Sequence, residues 1–269
     1  MAIRPRVALL GAATCVVALA FVWFAAFHVG LFRHADQSAF VQFYELQGHG
    51  SIAWLVRHLV RPFDPNPYVF LVLVPILVAL LRGRPRVVVG IGTIVLGANA
   101  STELLKHLLV PPGTWPSGHS TAAMALVLAS VLAVPARLRP AVAALGSTLA
   151  IGVGYSVVAA GLHTPSEVLG GFLVSGAWTL AVVGGLLASE QRWPLDRAHG
   201  NPPVSLRAVL GAPGAVVLGA SMLGLVLVIT HPDDVVSYAR VHQAFVLEAA
   251  GIAALSLAVS TAVLLSVRR

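Results

Sequence analysis

The sequence predicts an all-α fold, a polytopic transmembrane helix bundle of about eight spans, on three observations. First, of 269 residues 58% are hydrophobic and only 10% are charged, with a mean hydropathy of +0.88. A soluble domain carries roughly 25% charged residues, so this chain cannot cover a globular surface with them. Second, the apolar residues fall into runs near the roughly 20 residues that a helix needs to cross a hydrocarbon core. Third, the charges lie in the connections between those runs or within a few residues of their ends. A water-soluble enzyme, a disordered chain and a disulfide-stapled secreted domain are excluded together. The single cysteine, Cys15, lies inside an apolar run and leaves no internal disulfide possible.

The first span is expected at Val7–Phe27, uncharged throughout. Arg4, Arg6 and the Ala18-Leu19-Ala20 triplet suggest a signal peptide, but the apolar run continues through Phe21, Val22, Trp23 and Phe24, which favours an uncleaved anchor. A polar connection from His28 to Asn66 follows, with room for one or two short interfacial helices. Further spans are expected at about 67–81, 87–105, 118–135, 141–162, 166–188, 208–230 and 245–267, the first of these short and carrying Pro75. The organisation expected is an anchor helix (1–31), an outer loop (32–66), a membrane core (67–188), a cytoplasmic loop (189–207) and two C-terminal helices (208–269). Small residues within the spans (Gly92, Gly97, Ala150, Gly154, Gly171, Ser175) suit close helix approach in lipid.

Orientation follows from the basic residues. With the N-terminus cytoplasmic, alternate loops give 12 Lys and Arg inside and 5 outside (Arg33, Arg57, Arg61, Lys106, Arg240). Eight of the ten acids fall outside and only Glu190 and Asp196 inside. The formal charge of +7 is therefore a topology signal. Without interleaved aromatics to stack bases, it does not point to nucleic acid. Both termini are expected in the cytoplasm and the chain in the plasma membrane.

Ionisable groups are costly in a membrane, so those that gather at span ends are functional candidates. Two clusters share the outer side: Lys106 with Pro116-Ser117-Gly118-His119, and His163-Thr164-Pro165-Ser166-Glu167. The first opens a helix, where free backbone N–H groups and the positive dipole end suit a phosphate. Gly118 permits close approach, and Ser117 and Lys106 add donors; Ser117 equally fits a plain N-cap. In the second, Thr164, Pro165 and Glu167 read as a capping box, while Glu167 is also spaced to orient His163. Two histidines, a lysine, a serine and free amides suit phosphoryl transfer through a phosphohistidine, with one imidazole attacking phosphorus and the other serving as acid and then base.

These residues resemble the type 2 phosphatidic acid phosphatase family, the lipid phosphate phosphatases related to vanadium haloperoxidases. The Pro-Ser-Gly-His motif is complete at Pro116–His119. The family's Ser-Arg, five residues, His, three residues, Asp motif matches at Ser156, His163 and Glu167, and its first motif keeps Lys106. The resemblance covers roughly residues 87–188 and implies a six-helix lipid-phosphatase-like core. It implies His163 as nucleophile, Glu167 as its orienting carboxylate, His119 as general acid, and Lys106, Ser117 and Gly118 as phosphate ligands. It further implies a phosphorylated lipid substrate (a lipid phosphate or a polyprenyl diphosphate), no cofactor and no metal, in line with the lack of a ligand-spaced His, Cys or carboxylate set. Four positions depart from the motifs. Gly113-Thr114 stand where the family has Arg-Pro, Val157 where it has Arg, and Glu167 where it has Asp. Two guanidinium forks are thus missing, which one lysine does not replace. Arg57, Arg61 or His107 are candidate substitutes, and Glu103 is placed to pair with Lys106 or His107. The departures keep open an alternative, a degenerate member that binds or carries a phosphorylated lipid without hydrolysing it. A transporter is supported by helix number alone.

Overall fold

The structure, a computed structural model, describes residues 5–48, 50–109, 113–193 and 205–268. Arg4, Arg197, Arg269, His49, His199 and the Val110-Pro111-Pro112 stretch of the first cluster lie outside the described residues. Within them the chain is all-α. In order the helices are α1 (Pro5–His28), α2 (Gly30–Glu45), α3 (Gly50–Val60), α4 (Pro65–Leu81), α5 (Pro85–Leu108), α6 (Gly118–Ala133), α7 (Arg139–Ala159), α8 (Pro165–Arg192), α9 (Leu206–Thr230), α10 (Pro232–Val241) and α11 (Gln243–Ser266).

Each apolar run expected to span became a helix. α1, α5, α7, α8, α9 and α11 are long and apolar enough to cross a membrane. α3 and α4 form a bent pair with a 68° change of direction. α6 is shorter, with 16 residues, which at 1.5 Å per residue is roughly 24 Å. It is buried almost all round, from Ser120 to Ala125 and at Val127, Leu128, Ala129, Val131, Leu132 and Ala133, so protein sheathes it on nearly every face. The polar connection after α1 holds two helices, α2 and α3. The connection between the spans expected at 208–230 and 245–267 contains a further short helix, α10.

α8 is the central element, packed against α1, α5, α6 and α11. Small residues permit those approaches. A Cβ on Gly97 would meet the Trp178 ring at 2.7 Å, and one on Gly154 would meet Val168 at 2.9 Å. Gly171 is the tightest against backbone, with Ser117 O at 2.8 Å and Thr121 N at 2.9 Å from that position. Gly92, expected to pack in the same way, has nothing within 4 Å. It faces outward, because the spacing of small residues does not say which of them points at a neighbour.

The two ends of the bundle differ in chemistry. At one end, arginines cap helix C-termini, where carbonyls lack partners and cations are favoured. Arg84 Nη1 donates to Leu132 O at 3.4 Å, Arg86 Nη1 to Trp193 O at 2.9 Å and Arg139 Nη1 to Val267 O at 2.6 Å. At the other end lie the C-terminus of α5 and the N-termini of α4, α6 and α8, where the two sequence clusters meet.

Candidate active site

His163 owes its place to the way α7 stops. Gly161 takes a left-handed φ of +73°, a conformation that costs a residue with a Cβ far more than glycine. Gly161 N then donates to Val158 O at 2.9 Å and Leu162 N to Val157 O at 3.1 Å, the paired bonds of a Schellman motif. The chain turns sharply, and His163 falls two residues before the first residue of α8.

The Thr164–Glu167 capping box forms as the sequence predicts, and Glu167 also serves His163. Glu167 Oε2 accepts from Thr164 N at 3.3 Å and lies 2.6 Å from His163 Nδ1. A carboxylate only accepts, so Nδ1 carries the proton and Nε2 presents a lone pair. Glu167 Oε1 accepts from the Thr114 hydroxyl. The pair is well enclosed, with side-chain exposures of 10% for His163 and 9% for Glu167. The two readings of Glu167 were alternatives in the sequence and coexist in the structure.

The Pro116–His119 turn is fastened to the same helix end. Ser117 N donates to Glu167 O at 2.9 Å. Ser117 is fully buried, and its hydroxyl accepts from Ser120 N at 3.3 Å, so this side chain is the N-cap of α6. That cap leaves the amides of Gly118 and His119 at the helix start, where an anion is favoured. Lys106 reaches over the turn, its Nζ 3.4 Å from the place of a Cβ on Gly118, while held by Glu103 Oε1 at 2.7 Å. His119 faces His163 with ring centroids 6.2 Å apart. Lys106, Ser117, Gly118, His119, His163 and Glu167 are thus brought to one place.

Among the described residues, the candidate stand-ins for the missing guanidinium groups make no hydrogen bond or ion pair with the site's side chains. Arg57 and Arg61 are exposed, and Arg57 Nε donates to Ala53 O of its own helix at 3.3 Å. His107 points to the exposed side of α5. Val157, at the family's arginine position, is fully buried in the apolar core.

Two further carboxylates, absent from the motifs, meet the site. Asp64 Oδ1 lies 3.1 Å from His119 Nε2. Asp36 Oδ1 accepts from Ser166 N at 2.8 Å and Oδ2 from Ser166 Oγ at 2.9 Å, so α2 caps α8 in trans. The available signal was positional. Asp36 shares the buried face of α2 with Ala39 and Phe43, an acid on an apolar stripe.

Burial pushes the Asp36 carboxyl above its ordinary value, with Glu167 adding to the rise and the bonds from Ser166 and Thr164 opposing it. A carboxyl raised in the folded state favours folding most below its unfolded value of about 3.9 and loses that contribution as pH rises through its folded value. The melting temperature of the wild type relative to Asp36→Asn in detergent is therefore expected to fall as pH rises from about 4. Asp36→Ala, which strands the Ser166 donors, is expected to cost about 2 kcal/mol at neutral pH. A pH-independent difference between wild type and Asp36→Asn would show that the carboxylate charge plays no part.

Residues 84–189, from the start of α5 to near the end of α8, match the family model described as the PAP2 superfamily. No curated protein and no solved structure gives a match.

Proposed function

From the premise that residues 84–189 form a PAP2 superfamily segment, whose members are generally phosphatases, we propose that this chain is an integral membrane phosphatase acting on a lipid phosphate or polyprenyl diphosphate through a phosphohistidine. The observation that carries the proposal is the facing of His119 and His163, with His163 Nδ1 tied to Glu167.

In this reaction His163 Nε2 attacks phosphorus, forming the N–P bond as the P–O bond to the lipid breaks. His119 gives its proton to the departing oxygen, and the lipid alcohol or shorter phosphate leaves. Water then attacks phosphorus and gives a proton to His119, the N–P electron pair returns to His163, and phosphate departs. Gly118 N–H, His119 N–H and Lys106 Nζ stabilise the equatorial oxygens as charge develops on them. Ser117 serves by holding the turn. Exposed apolar side chains such as Leu10, Phe21, Phe70 and Leu96 suit a lipid environment, from which the substrate enters laterally. The arginine caps at the far end of the bundle support a site on the outer face of the plasma membrane, with both termini inside.

A second reading is a binder or carrier of phosphorylated lipid. The buried Val157, and with it the lack of a guanidinium at that position, favours it. One experiment separates the two. Purified protein in detergent is offered phosphatidate, phosphatidylglycerol phosphate and polyprenyl diphosphates, with phosphate release and lipid binding measured side by side. Release from at least one lipid supports the phosphatase. Binding with no release from any of them sinks the phosphatase and leaves the carrier.

A further inference from the structure

We propose that Asp64 is a positioning residue for His119, so that the site works with two facing histidine–carboxylate pairs, His163–Glu167 and His119–Asp64. The proposal rests on the phosphatase reading above and assigns a role to a segment outside residues 84–189.

The local sequence Asp64-Pro65-Asn66-Pro67 explains why this carboxylate is available. Asp64 occupies the N-cap of α4, where an aspartate ordinarily accepts from the N–H of the second or third helical residue. Pro65 takes the first helical position and Pro67 the third, and proline has no N–H. Asn66 N–H alone remains as a conventional donor, and the Asp64 side chain makes no cap hydrogen bond. It turns to His119 instead.

Its position is fixed on both sides. Phe63 and Tyr68 are buried with ring centroids 6.3 Å apart, clamping the 68° bend whose corner is Asp64. Both α4 and the turn before it pack on α6, which carries the corner to the N-terminus of α6. Asp64 is 51% exposed at its side chain and His119 24%, so this pair is open to solvent, whereas His163–Glu167 is enclosed.

The chemistry follows from the hydrogen bond. His119 Nε2–H donates to Asp64, so the ring is held and Nδ1 is the nitrogen that passes a proton to the leaving oxygen. That proton matters when the leaving group is a poor one. A lipid alcohol needs it as the P–O bond breaks, and a p-nitrophenolate does not.

The experiment compares wild type and Asp64→Asn in the first turnover, with a lipid alkyl monophosphate and with p-nitrophenyl phosphate. Asp64→Asn is expected to slow the lipid substrate by about 10–100-fold and p-nitrophenolate release by less than about twofold. In a cycle with His119→Gln, the double variant is expected to be no slower on the lipid than His119→Gln alone. Equal slowing on both substrates makes Asp64 merely structural and overturns the proposal, as does additivity in the cycle. A lowered KM with unchanged kcat also overturns it, showing a carboxylate that only occupies the place of the incoming anion. A wild type inactive on both substrates brings down the phosphatase reading itself, and the Asp64 proposal with it. A melting curve for each variant in detergent separates loss of fold from loss of function.

Discussion

Replacing His163 by Ala is expected to remove phosphate release and any acid-labile phosphoenzyme, a loss on the order of 10⁴–10⁶-fold as for other nucleophile deletions. The expectation rests on geometry specific to His163. It alone of the two facing imidazoles is enclosed and has its Nδ1–H directed at a carboxylate, 2.6 Å away. Its Nε2 lone pair therefore needs no tautomer change before attack. Glu167→Gln tests the supporting half of the same arrangement. A glutamine keeps the oxygen that accepts from Thr164 N and turns its amide toward the Thr114 hydroxyl, which rotates to accept it. The capping box then survives while the charge facing His163 is lost. Turnover is expected to fall by about 10²–10⁴-fold with little change in melting temperature. A variant that melted earlier yet turned over normally would leave Glu167 with its capping role alone. A His163→Ala protein that kept wild-type phosphate release would end the phosphohistidine reading.

Much of this arrangement was legible in the sequence, for a physical reason that also marks where legibility ended. Apolar length is a local property. A run such as Leu206–Thr230 must become a helix because hydrocarbon leaves its backbone no other partners. Motif spacing within one helix start is local too. Thr164, Pro165 and Glu167 determine a cap without reference to the rest of the chain, and His163 lies four residues from its carboxylate. The facing of His119 and His163 was legible at one remove, because counting spans put their loops on the same side. The contacts of Asp64 and Asp36 were not legible in this way. They join residues 55 and 130 positions apart, and they depend on how α2, the bend before α4 and the core helices pack, which hydropathy does not record. Even so, each left a mark: an aspartate followed by prolines that deny it the usual capping role, and an aspartate on the apolar face of a helix. Gly92 gives the converse lesson, since its spacing resembles that of packing glycines but its surroundings are empty.

The N-terminal segment also changes how the missing arginines are understood. The family pattern pairs its histidine nucleophile with a carboxylate and surrounds the phosphate with cations; here His163 keeps that pairing with Glu167, while Lys106 is also tied to Glu103 and His119 to Asp64. Each basic side chain is matched by an acid that fixes its direction. On the phosphatase reading proposed above, orientation carries more of the work and net positive charge less. Rate loss in this site is expected to follow displacement of groups as closely as removal of charge.

Gly171→Ala is the test of that dependence on placement. The added methyl would lie 2.8 Å from Ser117 O, 2.9 Å from Thr121 N and 3.0 Å from Thr121 Oγ1. Two of these are backbone atoms of the first turn of α6, and no rotamer change relieves them. α6 or α8 must shift by several tenths of an ångström. The α8 start is already bound to the α6 turn through Ser117 N–Glu167 O, and Ser175 Oγ donates to Thr121 O at 2.8 Å one turn further on. Strain therefore enters between two hydrogen bonds that fix the spacing of His119 and His163. The variant is expected to lose about 2–3 kcal/mol of stability, at the upper part of the range for overpacking, and to lose about 10-fold or more in turnover even well below its melting temperature. Gly92→Ala provides the contrast within the same fold. Its methyl meets nothing within 4 Å, so it is expected to gain about 0.5–1 kcal/mol from helix propensity alone with unchanged turnover. Melting curves and turnover for both variants decide the matter. If Gly171→Ala melted and turned over like the wild type, the close approach of α6 and α8 would not be what sets the distance between the two histidines.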